Sequence, residues 1–180
     1  TGAAGAVGHY AVQLARWGGA RVIATVSSDE KARLAAEAGA HEVINYRTED
    51  VATRVRDLTR GAGVDHVVEV DFGANIQVSA KILKPNGTLA AYASSAVPEP
   101  AIPYYPLMMN GVGIDLVFVY ILPHAARRQA LADIGTLLRE NALQHRIGAR
   151  YALDDTAAAH EAQESGKVVG NIVVDVQPLH

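Results

Sequence analysis

Glycines at positions 2, 5 and 8 open directly into an apolar, helix-periodic run, Val7-Gly8-His9-Tyr10-Ala11-Val12-Gln13-Leu14-Ala15, which Gly18-Gly19 closes. Glycine at such a bend admits tight backbone dihedrals and lets a phosphate approach the chain closely. The helix that follows points unpaired N–H groups and the positive end of its dipole at the turn. Val7, Ala11, Leu14 and Ala15 fall on one helical face and are predicted to face inward. Glycine-alanine helix starts also occur for packing alone, so the next segment matters. Arg21 to Val26 is a β-branched run soon after Gly19, as the second strand of a βαβ unit should be. Together they imply a dinucleotide-binding turn, spaced G-x-x-G-x-x-G rather than G-x-G-x-x-G.

A chain of 180 residues can bury one core and make one domain, with room for a small appendage. A net charge of −3 with no basic block argues against nucleic acid as a partner. No apolar run reaches membrane-spanning length and no signal peptide is present, so no membrane partner is expected. The absence of cysteine excludes disulfides, thiolate metal sites and thiol catalysis within the chain, and a reducing cytoplasm is the expected setting. The chain starts at Thr1, on the glycine turn itself, where a dinucleotide fold needs a preceding strand. It therefore reads as part of a longer protein with the first strand missing.

Strands and helices alternate onward. Ser27 and Glu30 have capping-box spacing before a helix over 31–38, and Glu42 to Tyr46 is the next strand. Thr48 is predicted to cap a helix carrying Val51, Val55 and Leu58 inward. Val64 to Val70 is a strand, 74–83 a helix, Lys84-Pro85-Asn86-Gly87 a turn, and Thr88 to Ala93 a central strand. The stretch 94–106 holds four prolines and reads as an irregular loop before a short helix over 105–110. Val112 to Tyr120 reads as one long strand, and Pro123 begins a helix reaching about Asn141. The expected fold is α/β, a doubly wound parallel sheet of Rossmann type over 1–143. Residues 144–180, with an extended piece, a helix led by Asp154-Asp155 and a final strand over 172–176, are expected to belong to a second, catalytic domain.

Where an NAD-binding fold places an acid after its second strand, this chain continues Val26-Ser27-Ser28. Ser27, Lys31 and Tyr46-Arg47 offer hydroxyls, positive charge and a stacking face that suit a 2′-phosphate. Asp29 on the ribose, with Lys31 and Arg47 as ordinary solvated charges, is the other reading. NADP(H) is the expected cofactor, since a carboxylate beside the phosphate would repel it.

Gly2-Ala3-Ala4-Gly5-Ala6-Val7-Gly8 with Gln13-Leu14-Ala15-Arg16 resembles the medium-chain dehydrogenase/reductase superfamily, and more narrowly its quinone oxidoreductase (zeta-crystallin-like) branch. The segments 39–47, 63–69, 83–87 and 170–174 match that branch in order, so the resemblance spans essentially the whole chain. It implies that Ala4, Gly5, Ala6 and Val7 line the pyrophosphate, and that Ser27, Lys31 and Tyr46 hold the 2′-phosphate end. It implies that Asn75 meets the cofactor's sugar edge and that Tyr92, Ala93, Ser94 and Ser95 lie beside the nicotinamide-ribose half. Leu116, Val117 and Phe118 would take the carboxamide. The usual Asp-x-x-Gly reads Val70-Asp71-Phe72-Gly73 here, and Ala93 replaces a glycine. The implied activity is NADPH-dependent, zinc-independent hydride transfer to a quinone or electron-poor alkene. The rivals are a zinc alcohol dehydrogenase relative, a synthase enoyl-reductase domain and a noncatalytic NADPH-binding module. The implied substrate cleft needs a domain upstream of this chain, so no catalytic residue is assigned.

The histidines, His180 included, show no metal-ligand spacing, and no metal site is expected. Tyr104-Tyr105 and Met108-Met109 read as packing residues. Val112 to Tyr120 is apolar on both faces and would leave an open sheet edge. The branch pairs this edge across a two-fold axis, which implies a homodimer through residues 112–120.

Overall fold

The structure is a computed structural model and describes residues 1–176. Helix α1 (Ala6–Trp17) leads into β1 (Ile23–Val26), α2 (Asp29–Glu37), β2 (Glu42–Asn45) and α3 (Val51–Leu58). Then come β3 (Val64–Glu69), α4 (Phe72–Ile82), β4 (Leu83–Ala91), a short α5 (Tyr104–Met109) and β5 (Gly113–Leu116). Helix α6 (His124–Arg139), β6 (Ile147–Ala152), α7 (Thr156–Glu164) and β7 (Asn171–Asp175) complete the order. Every strand pairing is parallel: β1 with β2, β3 with β4, β4 with β5, and β6 with β7. This is the expected α/β alternation.

Strands β1 and β3 are not paired with each other. Residues 1–3 bridge their C-terminal ends. The Ala3 N–H donates to the Thr25 carbonyl at 3.1 Å, and the Thr1 amino group donates to the Val68 carbonyl at 2.8 Å. Each half has its own apolar core. Val67, Ile76, Leu83 and Leu89 cluster between α4 and the β3–β5 strands. Ala3, Val12, Ala24, Val26 and Ala35 cluster around β1 and its flanking helices.

Several expectations are corrected. Helix α1 buries Gly8, His9, Val12 and Gln13, whereas Val7 is 53% exposed. The reason is polar: α1 docks on the C-terminal segment. His9 Nε2 pairs with the Gln144 carbonyl at 2.8 Å, and the Gln144 N–H donates to Gln13 Oε1 at 2.7 Å. Ser28, not Ser27, caps α2, its hydroxyl accepting from the Lys31 N–H at 3.3 Å. Asp50, not Thr48, caps α3, accepting from the Thr53 N–H at 2.7 Å, a bond that holds its carboxyl below the ordinary carboxylate range. Lys84 to Gly87 is an irregularity inside β4, where pairing with β3 jumps from Val64–Leu83 to His66–Thr88. The long strand over 112–120 is broken. β5 follows β4 only while β4 lasts; the Val117 N–H reaches the Ala91 carbonyl at 2.7 Å, and residues Val119–Ile121 turn into a 3-10 helix.

Candidate cofactor site

The C-terminal ends of β1, β3 and β4 and the N-terminus of α1 face one edge of the parallel arrangement, where ligands sit in open α/β sheets. The glycine turn shapes the middle of that edge. Gly2 has φ +60°, a left-handed conformation that glycine adopts without strain. Gly8 lets α1 lie against the turn: a Cβ there would stand 2.2 Å from the Gly2 carbonyl oxygen. Among the predicted pyrophosphate residues Ala4 is buried, while Gly5, Ala6 and Val7 are exposed at the helix start. No side chain caps α1, in contrast to α2 and α3. Its opening N–H groups and dipole are therefore directed outward, which suits an anion.

Beyond β1, Lys31 occupies the first turn of α2, where the helix dipole disfavours a cation. Its Nζ bends back to Ser27 Oγ at 3.2 Å. Tyr46 lies beside it, half exposed, its N–H bonded to the Val26 carbonyl at 3.0 Å. Ser27, Lys31 and Tyr46 thus share the rim formed by the ends of β1 and β2. Asp29 is on the same rim, and its carboxyl already accepts from Asn45 Nδ2 at 3.4 Å.

On the other side of the turn, a cavity of about 330 Å³ is lined by Tyr92, Ala93, Ser94, Leu116, Val117 and Phe118, with Phe72 among its other walls. Two separately predicted residue sets therefore line one space. Ser95 is exposed nearby in sequence, outside the lining. The Ser94 hydroxyl is engaged internally, accepting from the Gly73 N–H at 2.9 Å and donating to the Val97 carbonyl at 2.6 Å. With the Phe72 N–H bonded to the Ala93 carbonyl, the start of α4 is closed. Burial, and after it the nearby Glu69, push the Tyr92 phenol above its ordinary value, so it stays neutral at physiological pH.

Sequence reasoning missed Glu69. It is the last residue of β3 and is fully buried. Its Oε1 accepts from Thr1 Oγ1 at 2.8 Å, the Asp71 N–H at 2.7 Å and Asn75 Nδ2 at 2.8 Å. Its Oε2 has no hydrogen-bond partner among the described residues. The available signal was the period of two in β3, which puts residue 69 on the same inner face as Val67.

A second cavity, about 300 Å³, lies at the far end of α1, but its polar lining is already paired, Gln13 with Gln144 and Arg16 with His41. Among the described residues no group of three or more His, Asp or Glu side chains could hold a metal ion, and His180 lies outside them. Among the same residues no helix is long and apolar enough to cross a membrane.

Residues 6–135 match the family described as zinc-binding dehydrogenase. The chain is 33% identical over 176 residues to a 2-haloacrylate reductase of a Burkholderia species, covering 96% of this chain and 53% of that protein. It is 32% identical over 176 residues to a quinone oxidoreductase of Pseudomonas aeruginosa, covering 96% and 54%. It superposes on the crystal structure of Escherichia coli quinone oxidoreductase complexed with NADPH with a TM-score of 0.83 at 28% identity, covering 97% of this chain and 55% of that one. The chain thus spans about half the length of the curated relatives it matches. With its parallel α/β architecture and its open glycine turn, the chain belongs to the zinc-binding dehydrogenase family of the medium-chain dehydrogenase/reductase superfamily.

Proposed function

We propose that the chain binds NADPH and is the cofactor-binding portion of a zinc-independent reductase acting on a quinone or an electron-poor alkene. The observation that carries this reading is the uncapped start of α1, flanked by the Lys31–Ser27 pair and by the cavity under Tyr92 and Phe118. The turn would take the pyrophosphate, Ser27, Lys31 and Tyr46 the 2′-phosphate, and the cavity the nicotinamide end. Bound NADPH supplies a hydride. The chain's own residues would hold and orient the dinucleotide, which is most of what such an enzyme contributes. Among the described residues no group of three or more His, Asp or Glu side chains could hold zinc.

Calorimetric titration of the 180-residue chain with NADPH and with NADH tests the proposal. NADPH is expected to bind about tenfold more tightly or better. Equal affinities would move the adenine ribose to Asp29 and reject the NADPH assignment; no binding of either would reject the site.

The proposal extends to a cytoplasmic protein in which residues 1–143 form the dinucleotide domain and 144–180 join the catalytic one. It also includes a homodimer, now through the short edge of β5 and the apolar segment after it. Leu116, Phe118, Tyr120 and Ile121 are all more than half exposed, and a contiguous apolar surface of this kind is normally covered. Sedimentation at roughly tens of micromolar should give a dimer, and Ile121→Asp a monomer. A wild-type monomer under those conditions would overturn this part.

A further inference from the structure

Glu69 is a costly residue to keep. A fully buried carboxyl must be matched by donors, and an apolar side chain of similar size usually packs as well or better. Here one oxygen has no partner among the described residues, while the other gathers three donors. Thr1 begins the glycine turn, Asp71 precedes α4, and Asn75 lies in the second turn of α4. The Glu69 carbonyl also accepts from the Tyr92 N–H at 3.2 Å, tying in the end of β4.

The bond to Asn75 has a directional consequence. A backbone N–H can only donate, so the 2.7 Å contact from the Asp71 N–H makes Glu69 Oε1 an acceptor. The Asn75 atom 2.8 Å from that same oxygen is the amide nitrogen, which donates to it. The Asn75 carbonyl oxygen is left at the other end of the amide with no donor among the described residues. A side-chain amide that could otherwise flip is locked with its acceptor end free. We propose that Glu69 is a positioning residue: by fixing Asn75 it presents a hydrogen-bond acceptor to a ribose hydroxyl on the nicotinamide side of the dinucleotide. The proposal rests on the NADPH reading above and adds the group that sets the polarity of its sugar contact.

The test changes each of the two residues and reads two ligands: NADPH, and adenosine 2′,5′-bisphosphate, which carries the adenine half alone. Asn75→Asp removes the donor that faces Glu69 and should weaken NADPH about tenfold, with adenosine 2′,5′-bisphosphate held within about twofold. Glu69→Gln keeps an oxygen for Thr1, Asp71 and Asn75 and should stay within about threefold of wild type for both ligands. Glu69→Leu removes the acceptor that orients Asn75 and should weaken NADPH about tenfold while adenosine 2′,5′-bisphosphate stays within about twofold, a loss that Glu69→Gln avoids through its retained oxygen. NADPH affinity in Glu69→Leu within about twofold of wild type would overturn the proposal. So would parallel losses for the two ligands, which would mark Glu69 as a scaffold element only. If wild type binds neither ligand, the cofactor reading itself is wrong and the positioning role falls with it.

Discussion

Gly8→Ala should unfold at a markedly lower urea concentration than the wild-type chain. The new Cβ would stand 2.2 Å from the Gly2 carbonyl oxygen and 2.9 Å from Ala3 Cα, and both neighbours are backbone. No flexible side-chain end can move aside, so α1 would have to lift off the turn. Lifting it strains the Ala3 N–H bond to the Thr25 carbonyl, one of the ties between the two halves of the sheet. Overpacking of this kind costs about 1–3 kcal/mol, and each backbone bond lost adds about 1 kcal/mol. A total of about 2–4 kcal/mol is a large part of a domain's stability. Urea unfolding measures it, with Gly5→Ala as the control. At Gly5 the added Cβ meets the same Gly2 oxygen at 3.3 Å and otherwise open space, so the midpoint should fall much less than for Gly8→Ala. Equal midpoints for the two variants would show that the close approach of helix and turn is not the constraint.

Lys31→Ala carries the second large effect, on ligand choice rather than stability. The ammonium is held against Ser27 at the end of β1, and no carboxylate pairs with it among the described residues. A charge-assisted bond to a 2′-phosphate contributes about 1.5–3 kcal/mol, so NADPH should weaken about ten- to a hundredfold. NADH, lacking that phosphate, should change by less than about twofold. Because the rim is partly solvated, the discrimination should shrink as salt rises. Parallel losses for both dinucleotides would assign Lys31 a structural role and return the adenine ribose to Asp29.

The parts of this architecture that rest on local pattern were legible in the sequence. Alternation of β-branched runs with helix-periodic runs set the strand–helix order, because period and turn chemistry act over a few residues. What failed depended on distant partners. Hydropathy put Val7 on the inner face of α1, but His9 and Gln13 are the buried residues because they bond to Gln144, more than a hundred positions away. The run over 112–120 has strand composition throughout, yet only Gly113–Leu116 has β4 alongside. Thr48 and Asp50 are both plausible caps, and only the path of the chain out of β2 chose between them.

For the candidate site, the glycine turn and the Ser27–Lys31 pair were readable from residue chemistry and spacing, whereas the two segments lining the larger cavity were implied by the family resemblance alone. Glu69 was not legible, because an acid in an apolar run reads as a surface residue until its face of the strand is known to be covered.

The glycine turn holds the ends of two strands at once: the Ala3 N–H donates to the Thr25 carbonyl at the end of β1, and the Val70 N–H, just past β3, donates to Thr1 Oγ1 at 3.0 Å. A dinucleotide lying across that turn would brace both strand ends together, so bound ligand should raise the unfolding midpoint of the whole chain.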